Sequence, residues 1–481
     1  MLVLAGANIT VTHLTFDDGV VFDNSDGQGI RGPKYELSGA IAVTSNGTNA
    51  HISDNVFTDV GVGVKTYGFG SKVLHNTFRD LRIAFRGMDS GSETSYGALG
   101  VSANNSNIEI AYNDFINCRS TNSPYGADGG AIEIEGFAHD KDNITIHHNY
   151  SRGSQGFVEV TETTSSGVVI RNNVSDDYQQ FVAWDTTTHP TGYLAVNNTV
   201  VRRHSSGLSR LFDIYYYREP GPAPSADWIT IRNNIFYTPN RSTLGVFDFP
   251  HDHNLFYGGT NPVGFPLGSG DLISDPRFVN FASGDLRLSV ASPAVDNGAA
   301  AGSSTDLDGN ATGIGAGSDI GAFERQAAPT FGANAVADGG FESQLTVTAS
   351  SSPWNSQGSL SYGVDVNAGK ARSGQDNGWI ATSGSSSWGA LRQTVAVTPN
   401  TNYRMTAWVR NSGNFDQAWI GAKTIGGAVL NEVRHGKAPQ YNRFTVTFNS
   451  GSNSSVVLHV GFWGVNSTAW EQIDDVALQA F

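Results

Sequence analysis

Two kinds of short apolar strand alternate along the first half of the chain. The first kind ends in Asn followed by an aromatic or β-branched residue, as in residues 51–57, 73–78 and 144–150. The second kind begins near a glycine and alternates strictly between apolar and other side chains, as in residues 130–135 and 156–161. Alternation with period two is typical of a β-strand with one buried face. The first half of the chain is therefore predicted to be built from strands.

The Asn residues that close the first kind of strand recur at a nearly regular spacing. They are Asn55, Asn76, Asn113, Asn149, Asn173, Asn198, Asn234 and Asn254. Most intervals between them are roughly 20–25 residues, which is the repeat length of a strand-built solenoid. Because a side-chain amide both donates and accepts hydrogen bonds, we expect these residues to form a ladder from coil to coil. Of the intervals of about 36–37 residues, those from Asn76 to Asn113 and from Asn198 to Asn234 predict loops at 88–96 and 215–222 that build a binding face.

The solenoid pattern ends in a cap, and the rest of the chain has the longer alternating strands of a separate domain. Residues 274–278, 285–288 and 319–324 resemble the terminal segment of bacterial right-handed parallel β-helix proteins. The predicted fold class is all-β, with a right-handed parallel β-helix followed by a jelly-roll β-sandwich. The predicted domains are the β-helix at residues 1–325, a linker at 326–333 and the β-sandwich at 334–481.

Composition and charge narrow the choice of partners. The 481 residues carry a formal net charge of −15, which argues against nucleic acid and anionic membranes because both would be repelled. The single cysteine, Cys118, excludes a disulfide framework, and no apolar run approaches the ~20 residues needed to span a bilayer. No signal peptide is visible, so we expect a secreted monomer whose leader is absent from a trimmed or truncated sequence.

The outward positions of the alternating strands bring carboxylates onto one face of the predicted coils. One outward column contains Glu133, Glu159 and Asp213, and the next contains Glu135, Asp185 and Tyr215. Stacking Glu133 on Glu159 at about 4.8 Å should raise the pKa of one of them, because like charges disfavour ionisation of both. A carboxyl pair with one raised pKa is what glycoside hydrolysis requires.

The predicted catalytic group is therefore drawn from four carboxylates, Glu133, Glu135, Glu159 and Asp185. A pair at about 5 Å, such as Glu133 with Glu159, would suit retention, and a diagonal pair at about 8 Å, such as Glu135 with Glu159, would suit inversion. Both stereochemical outcomes stay open, as does the alternative that these carboxylates only form a solvated polar face. Nearby residues that could bind substrate are Asp128, Glu162, His189, Asp213 and Tyr215. Trp184 has inward parity and is predicted to lie in the core.

A second chemistry is suggested by Lys65 and Arg86, which are about one repeat apart and are expected on adjacent coils in one outward column. This pair resembles the Lys base and Arg acid of β-helix alginate lyases and chondroitinase B, which implies β-elimination on a polyuronate. Two positions depart from that family. Gly87 follows the Arg where the family has His, and Val60 and Gly63 stand where it has metal-binding Glu residues.

The C-terminal region carries motifs of a known carbohydrate-binding fold. Gly340-Phe341-Glu342, residues 397–409 and residues 473–478 resemble the jelly-roll carbohydrate-binding modules of xylanases and glucanases. The resemblance implies a structural Ca²⁺ held by Glu342 and Asp475, whose oxygen ligands suit this cation. Sugar rings stack on exposed indole rings, so the surface residues Trp354, Trp463 and Trp470 are predicted to bind glycan. Trp408, inside an alternating strand, is predicted to be core.

The leading functional prediction is a glycoside hydrolase that acts on a polysaccharide and needs no cofactor for catalysis. A polysaccharide lyase that uses Lys65 and Arg86 is the first alternative. A non-catalytic glycan-binding surface protein, in which the acidic face is only solvated or holds Ca²⁺, is the second.

Overall fold

The computed structural model describes the chain except residues 20–21, 24–36, 87–95, 124–125, 137–139, 186–188, 204–210, 216–222, 239–248, 259–262, 301, 327–330 and 344–352. The chain divides into two compact units. The first comprises Met1–Pro250, Gly258–Phe265 and Thr305–Gly309, and the second His251–Tyr257, Pro266–Ser304 and Asn310–Phe481. Residues 266–304 thus group with the C-terminal strands, and the linker at 326–333 stays a prediction. No helix in the described ranges is long and apolar enough to cross a membrane.

Three parallel sheets form the coils of the first unit, and each coil contributes one short strand to each sheet. The first sheet contains β1 (Leu2–Leu4), β5 (Gly39–Val43), β8 (Val62–Thr66), β13 (Leu99–Ala103), β18 (Gly130–Glu135), β22 (Val158–Thr161), β26 (Val182–Asp185) and β29 (Phe212–Tyr215). The second contains β2 (Thr10–Thr12), β6 (His51–Ser53), β9 (Lys72–Leu74), β14 (Glu109–Ala111), β20 (Thr145–His147), β24 (Val169–Arg171), β27 (Tyr193–Val196) and β30 (Ile229–Arg232). The third contains β3 (Thr15–Asp17), β7 (Val56–Thr58), β10 (Thr77–Arg79), β15 (Asp114–Ile116), β21 (Tyr150–Arg152), β25 (Val174–Asp176), β28 (Thr199–Val201) and β31 (Ile235–Tyr237).

Within the described ranges, three small sheets lie beside these coils. They are β4 (Phe22–Asp23) with β11 (Ile83–Arg86) and β12 (Tyr96–Gly97), β16 (Ser120–Ser123) with β17 (Gly126–Asp128), and β19 (Lys141–Asp142) with β23 (Ser165–Ser166). Their strands come from the longer stretches of chain between coil strands.

The Asn ladder is confirmed. From Asn55 to Asn198, the backbone N–H and the side-chain Nδ2 of each Asn both donate to Oδ1 of the Asn one coil further on, at 2.9–3.1 Å. The residue before each of these Asn residues, such as His75 or Tyr112, is in the left-handed region. That sharp turn separates the strands of the second and third sheets. The ladder therefore satisfies polar groups that would otherwise be buried without partners at every corner.

Apolar side chains fill the interior of the coils. Ile132, Val158 and Val182 are register partners in the first sheet and are almost completely buried. Trp184, predicted to be core, is fully buried. In the third sheet Phe57, Phe78 and Phe115 stack at centroid distances of 4.7–5.0 Å. The period-two alternation thus places one face of these coil strands in the core.

The second unit contains short strands followed by two antiparallel sheets of five strands each. The short strands are β32 (His251–Asp252), β33 (Leu255–Tyr257), β34 (Leu272–Ile273), β35 (Phe278–Asn280) and β36 (Asp285–Leu288), with a 3₁₀ turn at Phe281–Ser283. The first sandwich sheet has β37 (Asn355–Gly358), β40 (Trp388–Ala396), β45 (Ser455–Gly464), β42 (Phe415–Thr424) and β43 (Val429–His435), with β34 added beside β43. The second has β38 (Ser361–Asp365), β39 (Asn377–Ser383), β46 (Thr468–Ala480), β41 (Asn402–Asn411) and β44 (Asn442–Asn449).

The buried faces of the two sandwich sheets form the core of this unit. Ala407, Val409, Ile420, Val460 and Ile473 are fully buried there. The predicted fold class, an all-β chain with a parallel β-helix followed by a β-sandwich, is confirmed.

Candidate active site

The register of the first sheet defines which outward side chains are neighbours. Glu133 in β18 is the direct partner of Glu159 in β22, as predicted, and Asp213 follows two coils later in the same column. The next outward column contains Glu135, Thr161 and Asp185, with the backbone of Tyr215 after them. The side chain of Tyr215 lies outside the described residues.

The predicted placement of Lys65 and Arg86 in one column is wrong. Lys65 pairs through Ser102 with Glu133, so it belongs to the column of Glu133 and not to that of Glu135. Arg86 ends β11, which pairs with β4 and β12 and not with the coil sheet. Residues 83–86 alternate like a coil strand, but the long interval between two ladder Asn residues holds a single coil and a side sheet. The side chain of Arg86 lies outside the described residues, as do 88–95 and 216–222 of the two predicted binding loops.

Glu135 lies in a buried polar cluster. Its Oε1 accepts hydrogen bonds from Lys65 Nζ at 2.8 Å, from Tyr96 Oη at 2.5 Å and from Ser102 Oγ. Lys65 is fully buried and Glu135 is 3% exposed, so the two charges neutralise each other in the protein interior. Three donors on one oxygen make Glu135 a structural anion, which holds the face of the sheet beside Glu133 in place.

Glu133 differs from Glu135 in its hydrogen bonding. It is 9% exposed, and its Oε2 has no hydrogen-bond partner among the described residues. Burial raises the pKa of Glu133 well above its usual value, and the charges of Glu135 and Glu159 raise it further, while Lys65 opposes them. A raised pKa favours the protonated form of Glu133, and a protonated carboxyl can donate its proton.

The other predicted acids are distributed over several coils of the first unit. Glu159 and Asp185 are half-buried, and Asp213 is buried. Asp128 is half-buried, accepts a hydrogen bond from its neighbour Gly129 at 2.8 Å, and adds a further charge that raises the pKa of Glu133. Glu162 directly follows β22 in the left-handed region, and its backbone N–H donates to the carbonyl of Asp185. The carboxylates whose charges act on Glu133 are therefore Glu135, Glu159 and Asp128.

His189 is held by other residues. Its Nε2 lies 3.1 Å from Asp227 Oδ1, and its Nδ1 accepts from Trp228 Nε1 at 3.4 Å. These partners immediately precede β30 of the second sheet. Among the described residues, the hydrogen bonds of His189 go to this group and Ser225, and none goes to the acidic column.

Two residues of the cluster were missed by sequence reasoning. Tyr96 reaches Glu135 from β12, a strand of a side sheet that the repeat pattern does not mark. Lys141 is fully buried in β19, and its Nζ donates to the carbonyl of Gly136 at 2.8 Å. Burial lowers the pKa of Lys141 to about 8, although the charge of Glu135 opposes this change. Neither residue occupies a position of the repeat. Tyr96 ends the predicted binding loop at 88–96, but the length of that loop did not single it out, and nothing in the chain pointed to Lys141.

The tryptophans of the sandwich divide into buried and exposed ones. The prediction that Trp354 lies on the surface is wrong, because it is 4% exposed, stacks on Phe341 and donates from Nε1 to the carbonyl of Asp338 at 2.8 Å. Trp463 and Trp470 are 41% and 37% exposed, so both can meet a ligand. Trp408 is half-buried and not core, since its neighbours Ala407 and Val409 take the inward positions.

A cleft of about 270 Å³ lies on the outer face of the first sandwich sheet. Its aromatic lining consists of Trp388, Trp419, Phe462 and Trp463. His459 is buried in this lining, with Nε2 3.5 Å from Glu432 Oε2. Burial lowers the pKa of His459, and the nearby carboxylate of Glu432 opposes that change. The cleft thus combines flat rings with a polar floor, as small-molecule sites commonly do.

The predicted calcium ligands Glu342 and Asp475 approach each other around Gly340. Glu342 Oε1 accepts from the backbone N–H groups of Gln375 and Asp376 at 2.9 and 3.1 Å. Asp475 is bound by Arg372 Nη1 at 2.6 Å and by Ser373. In this arrangement the Arg372 guanidinium takes the position that a cation would need beside Asp475. No group of three metal-binding side chains occurs within the described ranges, and the calcium site stays a prediction.

No protein-family model and no curated protein matches the chain. A carbohydrate-binding module solved with β-1,4-galactotriose is 20% identical over 31% of this chain and 98% of its own, with a TM-score of 0.25. A Stig cyclase from Fischerella sp. TAU is 18% identical over 32% of this chain and 98% of its own, with a TM-score of 0.27. The enzymatically active domain of tailspike protein 4 of bacteriophage CBA120 is 8% identical over 90% of this chain and 64% of its own, with a TM-score of 0.27. These weak likenesses assign no substrate.

Proposed function

We propose that the first unit hydrolyses glycosidic bonds of a polysaccharide, with Glu133 as the general acid. The observation that supports this proposal is the buried, unpartnered Oε2 of Glu133 together with its raised pKa. A protonated Glu133 would transfer its proton to the leaving oxygen of the scissile bond, and the alkoxide leaving group would be avoided.

Glu159 is proposed as the second catalytic carboxylate. It is the direct register partner of Glu133 on the next coil, and it is half-buried, so substrate can reach it. An ionised Glu159 would either attack the anomeric carbon or remove a proton from an attacking water, and these two roles correspond to retention and inversion. Glu135 and Lys65 would position β18 and take no part in proton transfer, because each neutralises the other.

The cleft on the first sandwich sheet is proposed to bind the same class of ligand. Trp463 would stack on a sugar ring, while His459 and Glu432 would form hydrogen bonds with its hydroxyl groups. Lyase chemistry by Lys65 has no comparable support. Lys65 is fully buried and bound to Glu135, so it is not free to remove a proton from a substrate.

The test is hydrolysis of a broad polysaccharide panel by the full chain, measured as reducing ends, with ultraviolet absorbance recorded in parallel. We expect Glu133→Gln and Glu159→Gln each to lower the rate by about 10²–10⁴-fold, the usual contribution of a catalytic acid or base. Glu109→Gln is the matched control, since Glu109 lies on the second sheet in an ion pair with Lys72 at 2.7 Å.

Three results would overturn the proposal. Unsaturated products with ultraviolet absorbance would indicate a lyase. Wild-type rates in both Glu133→Gln and Glu159→Gln would place the active site elsewhere. No product from any glycan, combined with binding that requires Trp463, would leave the protein a glycan-binding module.

A further inference from the structure

The outer face of the second sandwich sheet is covered at one end and open at the other. At the covered end Arg404 Nη2 binds Asp296 Oδ2 at 3.1 Å, and Arg443 and Thr447 bond the carbonyls of Asp296 and Ala291. At the open end there is a cleft of about 510 Å³. It is lined by Asp365, Lys370, Trp379, Arg410, Trp470 and Gln472.

Two indole rings lie side by side in this cleft. Trp379 faces Gln472 across the β39–β46 pair, and Trp470 faces Ala381, so the two rings are diagonal neighbours on one face of the sheet. Trp379 lies over Gly363, where a Cβ atom would come within 2.6 Å of the ring. The absence of a side chain at Gly363 therefore lets the indole lie flat against the sheet. Trp470 is 37% exposed, so its ring is open to a ligand.

A polar network beside the rings leaves one positive charge uncompensated. Lys370 Nζ binds Asp365 Oδ1 at 3.1 Å, and Gln472 Nε2 donates to Asp365 Oδ2 at 2.9 Å. Arg410 Nε donates to Gln472 Oε1 at 2.5 Å, and the guanidinium lies 5.2 Å from the centre of the Tyr441 ring. Asp365 thus balances Lys370, and no acidic side chain in the described ranges forms an ion pair with Arg410.

The guanidinium of Arg410 is oriented for a ligand. Its Nε is engaged, and its two terminal nitrogens have no hydrogen-bond partner among the described residues. Two parallel N–H groups on a planar cation match the two oxygens of a carboxylate better than any neutral sugar group. A cation beside two flat rings is therefore complementary to a sugar that carries a carboxylate.

We propose that this cleft is a second carbohydrate site, which binds a uronosyl residue of a glycan. The sugar ring stacks on Trp470 and Trp379, and its carboxylate accepts two hydrogen bonds from Arg410. The site lies on the opposite sheet from the cleft of Trp463, so one sandwich holds two glycan segments at once. This inference does not depend on hydrolysis by the first unit.

The test is calorimetric titration of the full chain, carrying Glu133→Gln to prevent turnover, at moderate salt. The probes are trisaccharides of galacturonate, glucuronate, mannuronate and guluronate, each paired with its neutral hexose counterpart. We expect at least one uronate to bind at least tenfold more tightly than its neutral counterpart. Trp470→Ala and Arg410→Gln should each weaken this binding at least tenfold, and Gly363→Ala should weaken it by displacing Trp379.

The controls separate the two clefts and separate binding from folding. Trp463→Ala changes the other sheet and should leave uronate affinity within twofold of wild type. Circular dichroism melts of Trp470→Ala and Arg410→Gln should match the parent chain, since both side chains are at the surface. Equal affinity for acidic and neutral sugars would overturn the carboxylate assignment. Loss of uronate binding in Trp463→Ala alone, or no binding of any uronate at millimolar concentration, would overturn the site.

Discussion

A buried histidine–glutamate pair in the sandwich core makes a quantitative prediction about pH and stability. His435 and Glu471 are both buried, with His435 Nε2 3.7 Å from Glu471 Oε2. Burial raises the pKa of Glu471 to about 8, although a hydrogen bond from Asn411 opposes this change. Burial lowers the pKa of His435 to about 4. The folded unit therefore holds a protonated Glu471 beside a neutral His435 over most of the accessible pH range.

The two pKa shifts have opposite effects: the raised pKa of Glu471 lets the folded state bind more protons, and the lowered pKa of His435 makes it bind fewer. The stability contributed by Glu471 is present below pH 4.5, its unfolded pKa, and is lost as pH rises toward about 8. The stability contributed by His435 is present above pH 6.5 and is lost as pH falls toward about 4. Between pH 4.5 and 6.5 the folded and unfolded states each bind one proton at this pair. The contribution of this pair to the free energy of unfolding is therefore independent of pH between 4.5 and 6.5, and it decreases below and above that range.

The size of the stability loss follows from the width of the pH range between 6.5 and about 8. Between pH 6.5 and about 8 the folded state binds one proton more than the unfolded state. One proton corresponds to about 1.4 kcal/mol per pH unit, so this window costs roughly 2 kcal/mol of stability. Glu471→Gln removes the titrating carboxyl while keeping the shape of the side chain. The variant should gain roughly 2 kcal/mol relative to wild type between pH 6.5 and 8, and it should lose stability below pH 6.5.

Urea unfolding of the full chain measures this difference. Pulsed hydrogen exchange in peptides from β41 and β46 follows the sandwich separately from the coils. The control is Asp416→Asn, which removes an exposed carboxyl of the same unit away from the His435–Glu471 pair. A difference between Glu471→Gln and wild type that is the same at pH 6.5 and pH 8 would refute the proposed linkage.

Three further predictions concern the candidate site and the core. Because the proposed hydrolysis needs a protonated Glu133, the rate should fall as pH rises through the raised pKa of Glu133, and a pH–rate profile whose alkaline limb lies at the usual pKa of a glutamate would contradict that role. Lys65→Met leaves Glu135 buried without its cation, so we expect thermal unfolding to show about 3–5 kcal/mol of destabilisation, and a near-neutral result would contradict the buried ion pair. Trp354→Ala should lower the free energy of unfolding by about 3–5 kcal/mol in urea titrations, whereas the same change at exposed Trp463 should be nearly neutral.

Much of the coil architecture could be predicted because it depends on local and periodic signals. The Asn spacing fixed the ladder, and period-two alternation placed Glu133 beside Glu159. Both signals are properties of single strands that repeat, so no long-range information was needed.

The errors share a different physical origin. Ile83–Arg86 alternates like a coil strand, but only the three-dimensional path of the chain assigns it to a side sheet. Parity in a strand does not identify the inward face, so Trp408 was predicted to be core. The polar residues next to Trp354 suggested that its ring lies on the surface, whereas the ring is buried and stacks on Phe341. Tyr96 and Lys141 reach the cluster from outside the repeat, where sequence periodicity has no information.

The Asn ladder keeps successive coils aligned even where the coils differ in length. Consecutive ladder residues are separated by as few as 21 and as many as 37 positions, yet the hydrogen bonds that join them keep almost the same length. Extra residues can therefore be added between two anchors without shifting the strands on either side. Loops around the acidic face can change in size and composition while Glu133 and Glu159 stay in register. A scaffold of this kind allows the loops around the proposed active site to diversify while the two carboxyl groups keep their positions.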